Sequence, residues 1–235
     1  MGELPDRRAR KKAQTRELIR SVAQRLFDER GFEAVTIADI AGECDVAVQT
    51  VFNHFATKEE LFFDGRTPWV DAPAEAVRTR EPSVAPLSAL RTHLVSSVHQ
   101  LIGSMSTPER RCYITTLEAS DALRSHEREL VHESEIRLQT ALLEAWAAAP
   151  STAPADPEAA APLIAAVWLA ARRSLVVGQR PRLARGADPE RTAAMVVDVA
   201  DRMLREMENC AEAVHGFAAP LHADTGWPQT VRRAG

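Results

Sequence analysis

The sequence predicts an all-α protein on three observations. Apolar residues recur every three or four positions along most of the 235-residue chain, which is the spacing of one helix face. Residues typical of helix N-caps precede these segments, and proline or glycine separates them. No segment alternates apolar and polar residues as a half-buried strand does. With 45% hydrophobic and 26% charged residues, the composition is that of a soluble globular protein.

The first helix is predicted over residues 15–30. Leu18, Val22 and Leu26 recur there every four positions, with further apolar side chains beside them, and form a broad apolar stripe. Gly31 follows at the place where a helix end favours a left-handed backbone, so the helix should stop there.

Two capping patterns place the next short helices. Thr36 precedes an apolar segment and has Asp39 three positions later, which is a variant of the capping box. Thr57 and Glu60 fit the box itself and predict a helix over residues 58–63. The segment between the two caps has room for one more short helix after a turn.

That segment has the pattern of two helices that cross at a tight turn. Ala41 supplies a small side chain at the crossing, and Asp45 occupies the turn, where Asp tolerates a left-handed backbone better than most residues. The inward apolar set is Ile37, Ile40, Val46, Val51 and Phe55. The outer face of the second helix then carries Ala47, Val48, Gln49, Thr50, Asn53 and His54.

A polar helix face after such a turn is how a helix-turn-helix protein presents side chains to the DNA major groove. Gln and Asn can pair with adenine, and Val or Ala can touch thymine methyl groups. Thr, His and Lys more often contact phosphate. An ordinary helical hairpin with a solvated polar face has the same spacing and is the alternative.

The rest of the chain predicts a larger helical unit. Four prolines after residue 65 indicate a linker with at most one irregular helix, up to residue 86. Longer helices are predicted over residues 86–103, 107–117, 121–149, 158–179 and 189–217. The helix over 158–179 is apolar on nearly all sides, so we expect burial in its own domain or against a partner. The tail from residue 220, with Trp227, has no assignable role.

Positive charge is concentrated near the N-terminus. Residues 6–25 hold eight basic residues against two acidic ones, a local charge of +6 in a chain of net charge −4. A basic segment on an otherwise acidic chain favours a polyanionic partner at that end. Arg7, Arg8, Arg10, Lys11 and Lys12 could enter a DNA minor groove, as N-terminal arms do. A solvated tail is the alternative.

Several other kinds of site lack support in the pattern. No window approaches the roughly 20 uninterrupted apolar residues of a membrane helix, and the N-terminus lacks a secretory apolar region, so we expect a cytoplasmic protein without membrane contact. Cys44, Cys112 and Cys210 match neither a disulfide framework nor a metal pair. His126 and His132 lie about 120° apart around a helix, so we interpret their Glu-rich segment as a solvated face.

Residues 15–63 resemble the N-terminal domain of TetR-family transcriptional regulators. The family pattern is a threonine that opens the second helix, an Ile-Ala pair, a short turn, a Thr-hydrophobic-aromatic-x-His-Phe recognition helix, and Lys-Glu-Glu-Leu. The matching residues are Thr36, Ile40-Ala41, Thr50-Val51-Phe52-Asn53-His54-Phe55 and Lys58-Glu59-Glu60-Leu61. The resemblance implies an N-terminal three-helix helix-turn-helix DNA-binding domain, followed by a larger helical-bundle ligand-binding and dimerisation domain.

The resemblance also implies roles for single residues. The phosphate contacts would be Thr36, His54 and Lys58. The recognition helix would begin at Ala47 and Val48 and face the bases with Gln49, Thr50 and Asn53. Two residues depart from the pattern: Phe52 stands where the family usually has a phosphate-binding Tyr, and Asp45 stands in place of the turn glycine. The basic arm with Arg10, Lys11 and Lys12 could compensate for weaker contacts.

For the helical domain, the resemblance implies a homodimer through the last two long helices on a palindromic double-stranded DNA operator. It also implies a pocket for a small-molecule effector whose binding releases the protein from DNA. A repressor is favoured over an activator. Trp168 and Arg172, one turn apart, could supply an aromatic wall and an anion anchor. The other candidate pocket residues are His99, Met105 and Trp146. Core packing or a solvated charge is the alternative for each.

These patterns divide the chain into a basic arm (1–14), a helix-turn-helix domain (15–63), a ligand-binding and dimerisation domain (64–218) and a tail (219–235). A constitutive DNA-binding protein without effector stays open, because an apolar pocket and a filled core have the same composition. A helical-bundle enzyme is disfavoured, because the chain has no nucleophile elbow, Gly-rich phosphate loop or zinc-protease motif. We therefore expect no catalytic site, no cofactor and no metal.

Overall fold

The computed structural model describes the backbone of residues 3–213 and the side chains of residues 7–210 other than Ala184. The predicted tail over 219–235, with Trp227, lies outside the described residues, as does the end of the last predicted helix. Within the described part every regular element is helical, which confirms the all-α fold class.

The described residues form eleven α-helices. They are α1 (Glu3–Arg30), α2 (Ile37–Glu43), α3 (Val48–Phe52), α4 (Lys58–Phe63), α5 (Ala72–Arg78), α6 (Pro86–Gly103), α7 (Pro108–Ala119), α8 (Asp121–Ala148), α9 (Pro157–Val177), α10 (Arg180–Ala184) and α11 (Pro189–Ala213). Short 3-10 turns lie at Pro68–Val70, Ser104–Ser106 and Pro150–Thr152. The helices predicted from caps and periodicity are all present, whereas the short α10 was not predicted.

The basic arm predicted over residues 1–14 is not separate from the first helix. The helix α1 begins at Glu3, and the side chains from Arg7 to Lys12 lie exposed along its first turns. Ala, Arg, Lys and Gln in this segment are strong helix formers, and Pro5 lies in the first turn, where proline is tolerated. Apolar periodicity does not predict this extension, because an exposed helical segment needs no apolar stripe.

The capping chemistry is present with one difference from the prediction. The Thr36 hydroxyl accepts from the Asp39 amide at 3.1 Å, and Asp39 accepts from the Thr36 amide at 2.8 Å, so the capping box is complete. Thr57 accepts from the Glu60 amide at 3.0 Å. However, the Glu60 carboxylate accepts from Ala56, at 2.8 Å, rather than from the amide of the capping residue.

The core around α1–α4 is rich in aromatic rings. Its largest buried side chains are Ile19, Leu26, Phe27, Phe32, Ile40, Phe55, Leu61, Phe62 and Phe63. The same cluster continues into Tyr113 and Leu117 of α7 and Leu123 of α8. The predicted boundary at residue 63 is therefore crossed by one continuous apolar core, which fixes the N-terminal helices against the larger bundle.

The larger bundle is built around two long contacts, α6 along α11 and α8 along α9. The inner face of α9 buries Ala161, Ala165, Trp168 and Leu169. Its opposite face leaves Leu163 64% exposed and Val167 45% exposed. Complete burial of this helix within one subunit, one of the predicted alternatives, is therefore wrong for the isolated chain.

Among the residues that the structure describes, the stretch Pro157–Leu183 is long and apolar enough, by length and composition only, to cross a membrane. Charged residues such as Glu158, Arg172 and Arg173 interrupt this stretch, so it still lacks the roughly 20 uninterrupted apolar residues of a membrane helix. The stretch comprises α9 and α10, and its inner face packs into the bundle and buries Arg172. A core helix of this kind passes the same criterion, since its apolar residues are used in protein packing.

An ionic network joins α6 to α11. Arg91 donates from Nε to the Glu208 carboxylate at 2.6 Å and from Nη1 to Asp201 at 2.7 Å. The Ser88 hydroxyl donates to the second oxygen of Glu208. The Arg91 side chain is 21% exposed and that of Glu208 is 10% exposed, so water screens this pair only partly.

Replacement of this arginine, Arg91→Met, should lower the free energy of unfolding by about 2 kcal/mol, because it leaves the Glu208 carboxylate half-satisfied in a mostly dry site. Urea unfolding followed by circular dichroism measures this loss. Arg202→Met is the matched control: its pair with Asp198 is 71% exposed on both sides, so its loss should stay below about 0.5 kcal/mol. Equal losses in the two variants would show that the network does not stabilise the bundle.

Candidate DNA-binding surface and helical-domain cavity

The turn before α3 has the geometry that the sequence predicts. Asp45 adopts a left-handed backbone with φ of 52°, and the Val46 amide donates to the Ala41 carbonyl at 3.0 Å to close the turn. Ala41 itself is buried near the end of α2. This turn fixes the direction in which α3 leaves the core.

One face of α3 is anchored and the other is open. Val51 is fully buried, whereas Ala47, Val48, Gln49 and Asn53 are exposed and Thr50 is half-buried. The Gln49 amide nitrogen donates to the Asn53 amide oxygen at 3.2 Å, so these two side chains project as a pair. Phe52 is also exposed and leaves an aromatic ring on the surface beside Val48.

His54 lies at the end of this surface among positive groups. Burial lowers the pKa of His54, and the nearby charges of Lys12 and Arg16 lower it further. Its Nδ1 is buried without a hydrogen-bond partner in the described part of the chain. The lowered pKa keeps the imidazole neutral at neutral pH. Lys12 and Arg16 place positive charge near it, which would attract a phosphate group.

Arg16 is a residue of this surface that the sequence did not single out. Its guanidinium donates to the His54 carbonyl and to Asp64 at 2.6 Å, and it lies 4.0 Å from the centroid of the Phe55 ring. It therefore ties α1 to the ends of α3 and α4. In the sequence Arg16 is one of the eight basic residues within 6–25, and nothing else distinguishes it.

Lys58 and Thr36 are engaged within the protein. The Lys58 ammonium donates to the carbonyls of Phe32, at 2.9 Å, and Val35, at 3.1 Å, and lies over the Phe32 ring. The Thr36 hydroxyl is exposed but bonded to Asp39. Lys58 therefore secures the loop between α1 and α2, and a phosphate contact would require it to leave these carbonyls.

A cavity of about 50 Å³ lies in the larger bundle between α7, α8 and α9. Its walls include Trp69, Met105, Tyr113, Arg172 and Val176. Two of the predicted pocket residues, Met105 and Arg172, are thus brought together there.

The other three predicted pocket residues lie elsewhere. Trp146 and Trp168 are each 2% exposed and belong to the packed core between α8 and α9 rather than to the cavity wall. His99 is exposed on α6, because Val98 beside it takes the inward position. These three assignments are corrected by the fold, since helical spacing alone does not show which buried face borders a void.

The Glu-rich segment of α8 also differs from the predicted solvated face. Glu127 turns inward and accepts from Arg180 at 2.9 Å. His126 stacks on the Phe63 ring with centroids 5.2 Å apart. Within the residues that the structure describes, no three His, Cys, Asp or Glu side chains gather as metal ligands.

Tyr113 connects the cavity to the N-terminal helices. Its ring forms part of the cavity wall and stacks on Phe62 of α4, with centroids 5.1 Å apart and planes 11° apart. The Arg66 guanidinium lies 5.3 Å from Phe62 and 5.4 Å from Tyr113. Burial raises the pKa of Tyr113 to about 12, so the phenol stays neutral. A movement of Tyr113 would therefore shift Phe62 and with it α4.

The fold and this surface define a helix-turn-helix protein with a helical companion domain. Residues 19–64 match the family model for bacterial regulatory proteins of the tetR family. The chain is 34% identical over 86 residues to the HTH-type transcriptional regulator TcmR of Streptomyces glaucescens. That match covers 37% of this chain and 38% of TcmR, so it spans well under half of either protein.

Solved structures agree with the fold. The NalD structure from Pseudomonas aeruginosa matches with a TM-score of 0.51 and 20% identity, over 81% of this chain and 96% of NalD. The SmeT–triclosan complex matches with a TM-score of 0.52 and 21% identity, over 80% of this chain and 90% of SmeT. Residues 19–64 thus match the tetR family of bacterial regulatory proteins, as the helix-turn-helix residues predict, and the all-helical fold agrees with that match.

The backbone at Asp45 generates a stability prediction. Asp45→Gly should raise the free energy of unfolding by about 0.5 kcal/mol, because glycine adopts a positive φ without steric cost. Asp45→Ala should lower it by about 1 kcal/mol, because alanine lacks the local polar contacts that let Asp tolerate this conformation. Asp45→Asn is the control for charge and should match the wild type. Denaturant unfolding measures the free energy of unfolding of each variant. A glycine variant no more stable than the alanine variant would show that the backbone at Asp45 is not strained.

Proposed function

We propose that this protein is a ligand-responsive transcriptional repressor that binds a palindromic double-stranded DNA operator as a homodimer in the cytoplasm and is released by a small-molecule effector. The observation that carries the proposal is the open face of α3, which follows the hydrogen-bonded turn at Asp45 and presents Gln49 and Asn53 as a pair. This is the arrangement that a recognition helix requires in a major groove.

The surface divides into base-reading and phosphate-binding parts. Gln49 and Asn53 can each satisfy an adenine edge, and exposed Val48 and Phe52 can pack on thymine methyl groups. His54 and Thr36 would contact phosphates at the two ends of the surface. The resemblance implies a hydroxyl at this position, whereas Phe52 offers only an apolar ring. The affinity for phosphates would therefore depend more on the basic turns of α1.

The basic turns of α1 would contact phosphates rather than enter the minor groove. A helix with side chains is about 10–12 Å wide, whereas the minor groove is about 6 Å wide. Because residues from Glu3 onward are helical, Arg10, Lys11 and Lys12 lie on a rod and not on an extended strand. Such a rod can lie along the backbone and neutralise several phosphates.

The exposed apolar faces of α9 and α11 support a homodimer. Leu163 and Val167 lie one turn apart on α9, and Met195 and Val199 lie one turn apart on α11, all of them exposed. Paired with the same helices of a second copy, these faces would form a four-helix interface. Two copies place two recognition helices on the two halves of a palindrome, which a single helix-turn-helix does not provide.

An effector would release the protein from DNA by moving the cavity wall. The cavity of about 50 Å³ is far smaller than the 300 Å³ or more typical of ligand sites, so an occupant must push its walls apart. Tyr113 is one of these walls and stacks on α4, so widening would move the helix-turn-helix units of the dimer. Binding of effector and of operator would then be reciprocally coupled.

The relatives support the regulatory part of the proposal. SmeT is described as the repressor of a multidrug efflux pump in Stenotrophomonas maltophilia, and one of its structures is a complex with triclosan. NalD is described as the secondary repressor of an efflux pump.

The small cavity favours a second candidate function, a constitutive DNA-binding protein without effector. A thermal-shift screen with small molecules separates the two functions, because an effector that binds the folded protein must raise its melting temperature.

The DNA-binding role predicts a selective loss in the double variant Gln49→Ala, Asn53→Ala. It should bind its operator roughly tenfold to a thousandfold more weakly, because two base contacts are lost, while keeping the salt dependence that phosphate contacts set. Fluorescence anisotropy with fragments of the neighbouring genomic DNA, at two salt concentrations, measures both.

The matched control is Gln100→Ala, Asn209→Ala, which removes the same side chains from exposed positions of the helical domain. It should bind as the wild type does. If both double variants bind every fragment alike, α3 does not read sequence and the proposal fails.

His54 generates a pH prediction. A phosphate beside it would raise the lowered pKa of the imidazole, so DNA binding would take up a proton and operator affinity would increase as the pH falls from 8 to 6. The increase is limited to about tenfold for each unit by which DNA raises the pKa. His54→Gln should remove this dependence, and a pH profile identical to that of the wild type would exclude a phosphate at His54.

A further inference from the structure

The cavity between α7, α8 and α9 contains a charge without a partner. Arg172 is 6% exposed, and among the described residues it has no ion pair. Its Nε–H has no hydrogen-bond acceptor in this part of the chain. Burial lowers the pKa of Arg172 to about 10, and the charge of Glu127 acts in the opposite direction. A buried and uncompensated guanidinium is costly, so its presence needs an explanation.

The surroundings of Arg172 add positive charge. Arg110, Arg173 and Arg180 also line the cavity, and Glu127 is the single acidic residue in its wall. Glu127 is already bound to Arg180 at 2.9 Å, and Arg180 binds Glu118 as well, at 2.5 Å. Nε of Arg110 and Nε of Arg173 are buried without acceptors among the described residues. The walls therefore hold an excess of donors and no free carboxylate.

The remaining walls are apolar and partly aromatic. Trp69 and Tyr113 contribute rings, and Leu101, Ile114 and Val176 contribute aliphatic surface. The Arg172 guanidinium lies 5.7 Å from the Trp69 ring centroid, so charge and ring face the same space. A ligand that fits both parts must have an anionic end and an apolar body.

We propose that the effector of this protein is a small organic anion, an aromatic carboxylate, whose carboxylate pairs with Arg172 and whose ring lies between Trp69 and Tyr113. This inference rests on the proposed ligand-responsive function and names the chemical class of the ligand. A carboxylate can accept two parallel hydrogen bonds from a guanidinium, which would supply both the missing acceptor and the missing negative charge.

The test uses the full-length protein with two probes of the same shape, 2-naphthoate and the uncharged 2-naphthamide. In the wild type, 2-naphthoate should raise the melting temperature and bind at least tenfold more tightly than the amide. Arg172→Met should weaken the binding of 2-naphthoate by roughly tenfold to a hundredfold, because one charged contact is lost. The affinity for the amide should stay unchanged. Isothermal titration calorimetry measures the four affinities.

Two further variants separate a local contact from general effects. Arg182→Met removes the same charge from an exposed position on α10 and should bind both probes as the wild type does. Arg172→Lys keeps the charge without the planar fork and should lose less affinity than Arg172→Met. Without ligand, Arg172→Met should melt at the wild-type temperature or above it, because it removes an uncompensated buried charge.

The inference is overturned if the amide binds as tightly as the carboxylate, if neither probe binds up to millimolar concentration, or if Arg172→Met binds 2-naphthoate like the wild type. Anisotropy with an operator fragment keeps this result distinct from the proposed function. Selective DNA binding without carboxylate binding would overturn only the anion site. Carboxylate binding without any DNA binding would uphold the anion site and overturn the regulator.

Discussion

The aromatic junction between α4 and α7 is the contact on which the rest of the structure depends. Phe62 packs against Phe27, Phe32 and Phe63, and on its other side it stacks on Tyr113. Buried aromatic pairs add to the free energy of area burial and prefer defined ring geometries. The junction therefore joins the helix-turn-helix to the larger bundle as one packed core. A cavity that shares Tyr113 with this core is mechanically close to the DNA-binding surface although it lies in a different set of helices.

Several arginines hold helices together, whereas Arg172 faces the cavity without an ion pair among the described residues. Arg16 and Arg91 each donate to carboxylates on other helices and so fix α1 to α4 and α6 to α11. Arg180 does the same for α8. Arg172 is more deeply buried than any of these and has no such partner among the described residues. Burial without a partner is the reverse of what a stabilising role requires, and it fits a group that meets its counter-charge only in a complex.

The helices α9 and α11 show why composition alone is ambiguous about burial. Each has one apolar face in the core and a second one on the surface, at Leu163 and Met195 among others. The same sequence is apolar enough to satisfy a membrane-span criterion and to serve a protein interface. The structure distinguishes the faces, because the inner face of α9 packs against α8 and that of α11 against α6, and only the outer faces stay exposed. Exposed apolar faces of this kind on two neighbouring helices favour association with another protein surface.

Local chemistry in the sequence determined the helices, their caps and the turn before α3. The interactions that set them, such as the Thr36 and Asp39 box and the left-handed backbone at Asp45, involve residues close together along the chain. Tertiary structure decided which side chains meet. Lys58 binds loop carbonyls 23 and 26 residues away, His99 faces solvent, and Arg172 reaches the cavity while Trp168 packs in the core. Helical periodicity shows that a face is apolar, but only the packing of several helices determines whether that face meets a neighbour, a partner or a cavity.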